Sequence, residues 1–149
     1  MKLVDNEIYS KFVELMPITC VDILIHEEDK LLFVKRNQEP AKGKWWVVGG
    51  RLHKDETMEQ CAIRKCKEEV GLDVVLEKRI GVYDEFFDTS IQGYPTHTVC
   101  VAFLARPVGK ISEFTVDSTS DSGIVTNVID ERLDPYVKRV LVDSGLVRE

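Results

Sequence analysis

Glu68 and Glu69 are adjacent carboxylates, and Lys65 precedes them by three and four residues. On a helix those spacings set all three side chains on one face. Upstream stand Gly49 and Gly50, which lack Cβ atoms and let the backbone turn sharply and approach a ligand. Paired carboxylates beside such a turn suit a hard divalent cation, Mg2+ or Mn2+, which takes oxygen ligands and keeps waters and substrate phosphates in its shell. The competing reading of these three residues is a solvated helix face of mixed charge.

The flanking residues build the helix that carries them. Thr57 followed by Gln60 forms a capping box, with Asp55 and Glu56 at the positive end of the helix dipole. Gly71 supplies a left-handed stop. Ala62, Cys66 and Val70 recur every fourth residue and predict a buried stripe. The whole stretch, GGRLHKDETMEQCAIRKCKEEVGL, resembles the Nudix box: Gly, five residues, Glu, seven residues, then Arg-Glu-apolar-x-Glu-Glu-x-Gly-apolar. Gly50, Glu56, Arg64, Cys66, Glu68, Glu69, Gly71 and Leu72 fall in register, and Lys65 stands where the pattern has its first glutamate after the arginine.

Composition sets the frame. The 149 residues fit one domain, residues 1–149, long enough to bury a substantial core. A net charge of −6 and no basic cluster argue against a nucleic-acid-binding surface. A bound Mg2+ would reconcile that charge with an anionic phosphate substrate. Cys20, Cys61, Cys66 and Cys100 lie in apolar runs without a CxxC pair, so buried free thiols are expected rather than zinc ligands or disulfides. No secretory apolar segment precedes residue 20 and no run is long enough to span a membrane, which predicts a cytoplasmic protein.

In chain order, Ile8, Phe12 and Leu15 predict an amphipathic helix over residues 5–16. A buried strand follows over 18–25, interrupted by Asp22, which must either satisfy local donors or point into a site. A turn at 26–30 leads to a strand at 31–36 ending on Arg36, where a guanidinium is a natural phosphate fork. After a loop at 37–44 come the tryptophans of 45–48, of which at most one faces a pocket. Segments 73–87 and 95–107 have strand character, with a loop at 88–94 between them. The polar stretch 110–123 reads as a functional or mobile loop. A strand at 124–129 and a helix at 131–144, with Leu133, Tyr136, Val137, Val140 and Leu141 buried and Gly145 as its stop, complete an α/β domain. Its mixed sheet lies between helices, and the resemblance implies the Nudix α/β/α sandwich.

The likeness extends beyond the box. PITCVDILI, KRNQEPAKGKWWVVGGRLHKDET, IGVYDEFFD and THTVCVAF resemble the GDP-mannose mannosyl hydrolase branch of Nudix enzymes. Most Nudix hydrolases attack phosphorus in a nucleoside diphosphate derivative; that branch attacks the sugar C1 carbon, releases GDP and forms a homodimer. The resemblance places Asp22 and Arg36 at the substrate's diphosphate and sugar, Gly49 as a carbonyl ligand of the metal, Glu69 as its main carboxylate, and Glu68 as a ligand of ordinary Nudix enzymes. It also makes Glu56 and Arg64 an orienting pair. Val48 replaces a proline, Thr98 a tyrosine, and Ser118-Thr119 a Gln-His pair that serves metal and base. Neither Ser118 nor Thr119 is a base near neutral pH.

A substitute base is therefore expected among Glu85, Asp117 and Asp121, while His97 reads as structural and His26 and His53 as turn and loop residues. Lys65 would weaken a second Mg2+ or hold a phosphate oxygen directly. Tyr83, Trp45 and Trp46 are the aromatics available to a nucleobase. Three functions stay open: a nucleotide-sugar hydrolase of the GDP-mannose type, a pyrophosphatase cutting a P–O–P link, and a nucleotide-binding module without turnover.

Overall fold

A computed structural model describes residues 4–129 and 131–147. Its centre is β1 (Ile18–Glu27), which pairs in parallel with β6 (Thr96–Pro107) and antiparallel with β2 (Lys30–Arg36) and β4 (Val48–Arg51). Outward from these lie β3 (Trp45–Trp46) beside β2 and β5 (Val74–Phe87) beside β6, with β7 (Ser120–Thr126) also paired to β2. Helix α2 (Met58–Val70) covers one face and α3 (Pro135–Ser144) the other, while α1 (Asn6–Leu15) packs near β6. This is a mixed sheet between helices, as the sequence predicts.

Strand alternation divides the core. Val21, Ile23 and Ile25 of β1 pack with Cys61, Ala62, Cys66 and Val70 of α2. Cys20 and Leu24 turn the other way, toward Tyr136, Val137, Val140 and Leu141 of α3. Each valine, leucine or isoleucine among them, fully buried, contributes roughly 1.5–3 kcal/mol. A polar residue at position 22 therefore enters the α3 side of the sheet. Both halves of the Thr57–Gln60 capping box form, and Gly71 ends α2 at φ +69°. All four cysteines are free, three of them buried, and burial pushes the Cys61 thiol up to about 12.

Four features differ from expectation. The α1 helix forms, capped by Asp5, but it buries Val13, whereas Ile8, Phe12 and Leu15 stay exposed. Residues 110–123 are ordered rather than one long loop. A 3-10 turn at Ile111–Glu113 buries Ile111, and the amides of Thr115 and Asp117 donate to the Val70 and Glu69 carbonyls at 3.0 Å each. Those bonds satisfy carbonyls that the end of a helix leaves open. The last strand spans Ser120–Thr126 instead of 124–129, because the outer edge of β2 offers partners from Leu31 to Arg36. An edge position tolerates the polar residues there, and Gly123 leaves room for the Phe114 ring, which a Cβ would meet at 2.3 Å. Finally, α3 starts at Pro135 with Asp134 as its cap, four residues later than predicted, since a proline favours the first helical turn. No described helix is long and apolar enough to cross a membrane.

Candidate active site

The β4 glycines are where the two halves of the site touch. Gly49 pairs with Asp22 across the ladder, and a Cβ on it would lie 2.1 Å from Asp22 Oδ1 and 2.5 Å from the Val21 carbonyl oxygen. A Cβ on Gly50 would lie 2.6 Å from Lys65 Cε. The pair of glycines thus admits an aspartate from β1 and a lysine from α2. Both open onto one cavity of about 320 Å3, within the range of small-ligand sites.

At the α2 end, Lys65 Nζ lies 2.8 Å from Glu69 Oε1 and 3.6 Å from Glu68 Oε2, and the Gly49 amide points to Glu69 Oε2 at 3.4 Å. Lys65 is 15% exposed at its side chain and Glu69 is 8% exposed. Burial works against the ammonium, but Glu69 and Glu68 more than offset it, so the Lys65 pKa ends above the usual lysine range. Arg64 grips Glu56 through two nitrogens, at 2.6 and 3.0 Å, and reaches Glu68 at 3.1 Å and the Arg51 carbonyl at 3.2 Å. That fork, led by its hydrogen bonds to the carboxylate, holds Glu56 down at about 2. With the His53 amide donating to Glu56 at 2.8 Å, it ties the β4–α2 loop to the helix.

On the α3 side, Asp22 is 5% exposed and accepts the Tyr136 hydroxyl's hydrogen bond. Burial pushes its carboxyl well above the ordinary range, against the pull of Tyr136, Cys100 and Arg36. Arg36 lines the cavity, its Nε donating to the Pro40 carbonyl at 2.7 Å, so the head is anchored by one nitrogen. Trp46 stacks on Tyr136 at 5.2 Å and reaches the cavity wall, whereas Trp45 does not line it.

Of the residues expected from sequence, the cavity brings together Asp22, Arg36, Gly49, Lys65 and Glu69. Glu68 stays at the rim, half exposed and held by Arg64 and Lys65. Tyr83 does not line the cavity. Its hydroxyl donates to Asp143 at 2.7 Å and its ring meets Tyr136 edge-on, so β5 turns it into the α3 interface. Glu85, on the same face, pairs with Arg139 at 2.8 Å. Asp121 is exposed on β7. Asp117 lies close enough to Glu69 to raise its pKa, but its Oδ1 accepts both the amide and the hydroxyl of Thr119, and Thr119 alone reaches the wall. None of the three candidate bases lines the cavity.

No histidine does so either: His26 meets Glu77, and His97 meets Asp84 and stacks on Phe86 at 4.4 Å. The wall also holds residues that sequence reasoning missed. Arg51 sits 4.0 Å over the Tyr9 ring, joining α1 to the box loop, and Glu39, Ser90 and Thr96 add polar groups. Only the arginine directly after the two glycines offered a local hint.

A divalent ion could settle on this arrangement only by displacing the Lys65 ammonium from Glu69 or standing close beside it. Among the described residues no three His, Cys, Asp or Glu side chains converge. The two carboxylates expected to bind an ion already face the Lys65 ammonium and the Arg64 guanidinium.

The NUDIX domain family pattern matches residues 16–124. The chain is 34% identical to the low-salt glycan biosynthesis protein Agl8 of Haloferax volcanii over 142 residues, 94% of this chain and 89% of that protein. It is 33% identical over 95 residues to an ADP-ribose pyrophosphatase of Methanocaldococcus jannaschii, covering 64% of this chain and 54% of that one. In fold it is similar to a Nudix hydrolase from Nitrosomonas europaea, with a TM-score of 0.71 at 22% identity over 87% of this chain and 88% of the other. A bifunctional NMN adenylyltransferase/ADP ribose pyrophosphatase from Francisella tularensis, solved with AMP and a Mn ion, gives 0.69 at 21% identity over 95% of this chain and 45% of the other. With the box in register along α2 and the family pattern spanning most of the sheet, the chain belongs to the Nudix hydrolases.

Proposed function

We propose that this Nudix hydrolase acts on a nucleoside diphosphate sugar. The observation that carries the reading is one cavity lined by both kinds of group: Arg36, Arg51 and Lys65 supply cations for a diphosphate, and Asp22, Ser90 and Thr96 supply polar groups for a sugar. Tyr9, already under a guanidinium, offers a face to a nucleobase. The names of two relatives, a glycan biosynthesis protein and an ADP-ribose pyrophosphatase, are consistent with such a substrate.

Hydrolysis needs the charge on the departing phosphate neutralised and a water deprotonated. Fixed cations in a water-poor cavity stabilise developing negative charge more strongly than solvent does. Among the carboxylates on the wall, Glu69 is paired with Lys65 and Glu39 is only part-buried and accepts the Lys42 amide, while Asp22 is buried and held only by hydrogen bonds and a more distant Arg36. Its raised pKa suits a general base, and we assign it that role. Mg2+ is the ion this reading expects, entering on the substrate's diphosphate rather than waiting on the protein.

The bond cut is proposed to be the P–O–P link. Arg36, Arg51 and Lys65 on the described cavity wall favour attack at phosphorus, since they would neutralise the charge that develops on the departing phosphate. Attack at sugar C1, with release of GDP from GDP-mannose, is the second reading, favoured by Asp22 sharing the cavity wall with Ser90 and Thr96. Incubation with ADP-ribose and with GDP-mannose under Mg2+ in 18O-labelled water separates them. Label on a nucleoside or sugar phosphate supports the first reading, and label on free sugar the second. No product from either substrate would overturn the nucleotide-sugar assignment.

A further inference from the structure

We propose that Lys65 is the resident cation of the site: its ammonium occupies the position against Glu69 that a divalent ion would take, and offers its remaining hydrogens to a phosphate oxygen. The second half rests on the nucleotide reading above; the first does not. Three observations converge on it. The ammonium stands 2.8 Å from Glu69 Oε1 inside the cavity rather than on a solvated face, with 15% of the side chain exposed. Its stem crosses Gly50, which leaves it room, since a Cβ there would sit 2.6 Å from Cε. The neighbouring Glu68 is shared between Arg64 and the same ammonium, so both acids are already matched by charge.

A hard divalent ion would sit about 2.1 Å from a carboxylate oxygen. With the ammonium 2.8 Å from Glu69 Oε1, an ion on that oxygen could stand no more than about 5 Å from a second positive charge. Ion and ammonium therefore compete for Glu69. A lysine keeps three donors, of which Glu69 uses one, and so leaves a charged donor facing the cavity. The same helix turn that presents the acids thus presents their counter-ion.

The test is Mn2+ binding to the ligand-free protein, by calorimetry and by the rise in melting temperature. The wild type and Lys65→Arg should bind weakly, whereas Lys65→Met frees Glu69 and Lys65→Glu adds a third carboxylate. Both of the latter should bind Mn2+ at least about tenfold tighter, with Lys65→Glu stabilised most by the ion. Wild-type affinity equal to that of Lys65→Met and Lys65→Glu would overturn the proposal. Pyrophosphate binding in EDTA reads the phosphate half: loss of about tenfold or more in Lys65→Met, with Lys65→Arg retained, supports it. Equal binding by Lys65→Met and wild type would overturn that half. No pyrophosphate binding by the wild type either in EDTA or with Mg2+, together with a Mn2+ gain in Lys65→Glu, would sink the nucleotide reading and leave the resident cation standing.

Discussion

The Tyr136 hydroxyl, carried on α3, donates a hydrogen bond to Asp22 Oδ2 on the central strand, so the last helix of the chain holds the carboxylate of the cavity wall. The two residues stand 114 positions apart. Packing of Trp46 against the same ring fixes the angle from which the hydroxyl approaches.

If Asp22 is the base, Asp22→Asn should lower kcat by about 10²–10⁴-fold while leaving the fold intact. Tyr136→Phe should act differently. The hydrogen bond from Tyr136 lowers the Asp22 pKa against the rise from burial, so its removal raises that pKa further. The acid limb of the rate profile should then move to higher pH, a shift seen by measuring kcat/KM from pH 4 to 9 across about half a dozen buffers. An unmoved limb would remove Asp22 from the base role.

Gly49 separates a steric demand from a chemical one. Gly49→Ala should cost about 1–3 kcal/mol of stability, read as a fall in the denaturant midpoint, because its Cβ would overlap Asp22 Oδ1 and the Val21 carbonyl oxygen. Combining it with Asp22→Ala should recover only part of the loss. The carboxylate can be removed, but the 2.5 Å approach to the Val21 backbone stays.

Local signals were legible in the sequence. The capping box spans four residues, the Gly71 stop follows from one left-handed position, and the α2 stripe from a period of 3.6, so helix, box and buried face were readable without tertiary information. What escaped was decided by pairing. Along β5, Tyr83 and Glu85 share a face by alternation, but only docking of that strand on β6 sends the face toward α3 and gives both residues partners, Asp143 and Arg139. The polar start of β7 looked like a loop because an edge strand lacks the apolar pattern of a buried one. The Arg51–Tyr9 contact joins residues that no periodicity connects.

The Glu56–Arg64 fork should make stability depend on pH in a defined window. Glu56 has its folded pKa depressed from 4.5 to about 2, first by its hydrogen bonds with Arg64. A depressed carboxylate contributes stability that is fully present above its unfolded pKa and is lost as pH falls through the folded one. The stability difference between wild type and Glu56→Gln should therefore be constant above about pH 5 and shrink steadily toward pH 2, measured by melting temperature. A difference unchanged across that range would mean that the fork orients the loop without stabilising it.

Glu85→Gln and Asp121→Asn supply the contrast that tests the cavity itself. Both carboxylates were reasonable bases by sequence, yet Glu85 is committed to Arg139 and Asp121 is exposed on β7. Loss of a working base costs about 10²–10⁴-fold, so each variant should keep kcat far above that of Asp22→Asn. Asp117→Asn should fall between them, since its carboxylate holds the Thr119 hydroxyl at 2.6 Å and Thr119 reaches the wall. Its effect should appear in KM more than in kcat, as expected of a residue that positions a contact rather than moves a proton. A kcat loss in Asp117→Asn matching that of Asp22→Asn would transfer the base to the loop that caps α2.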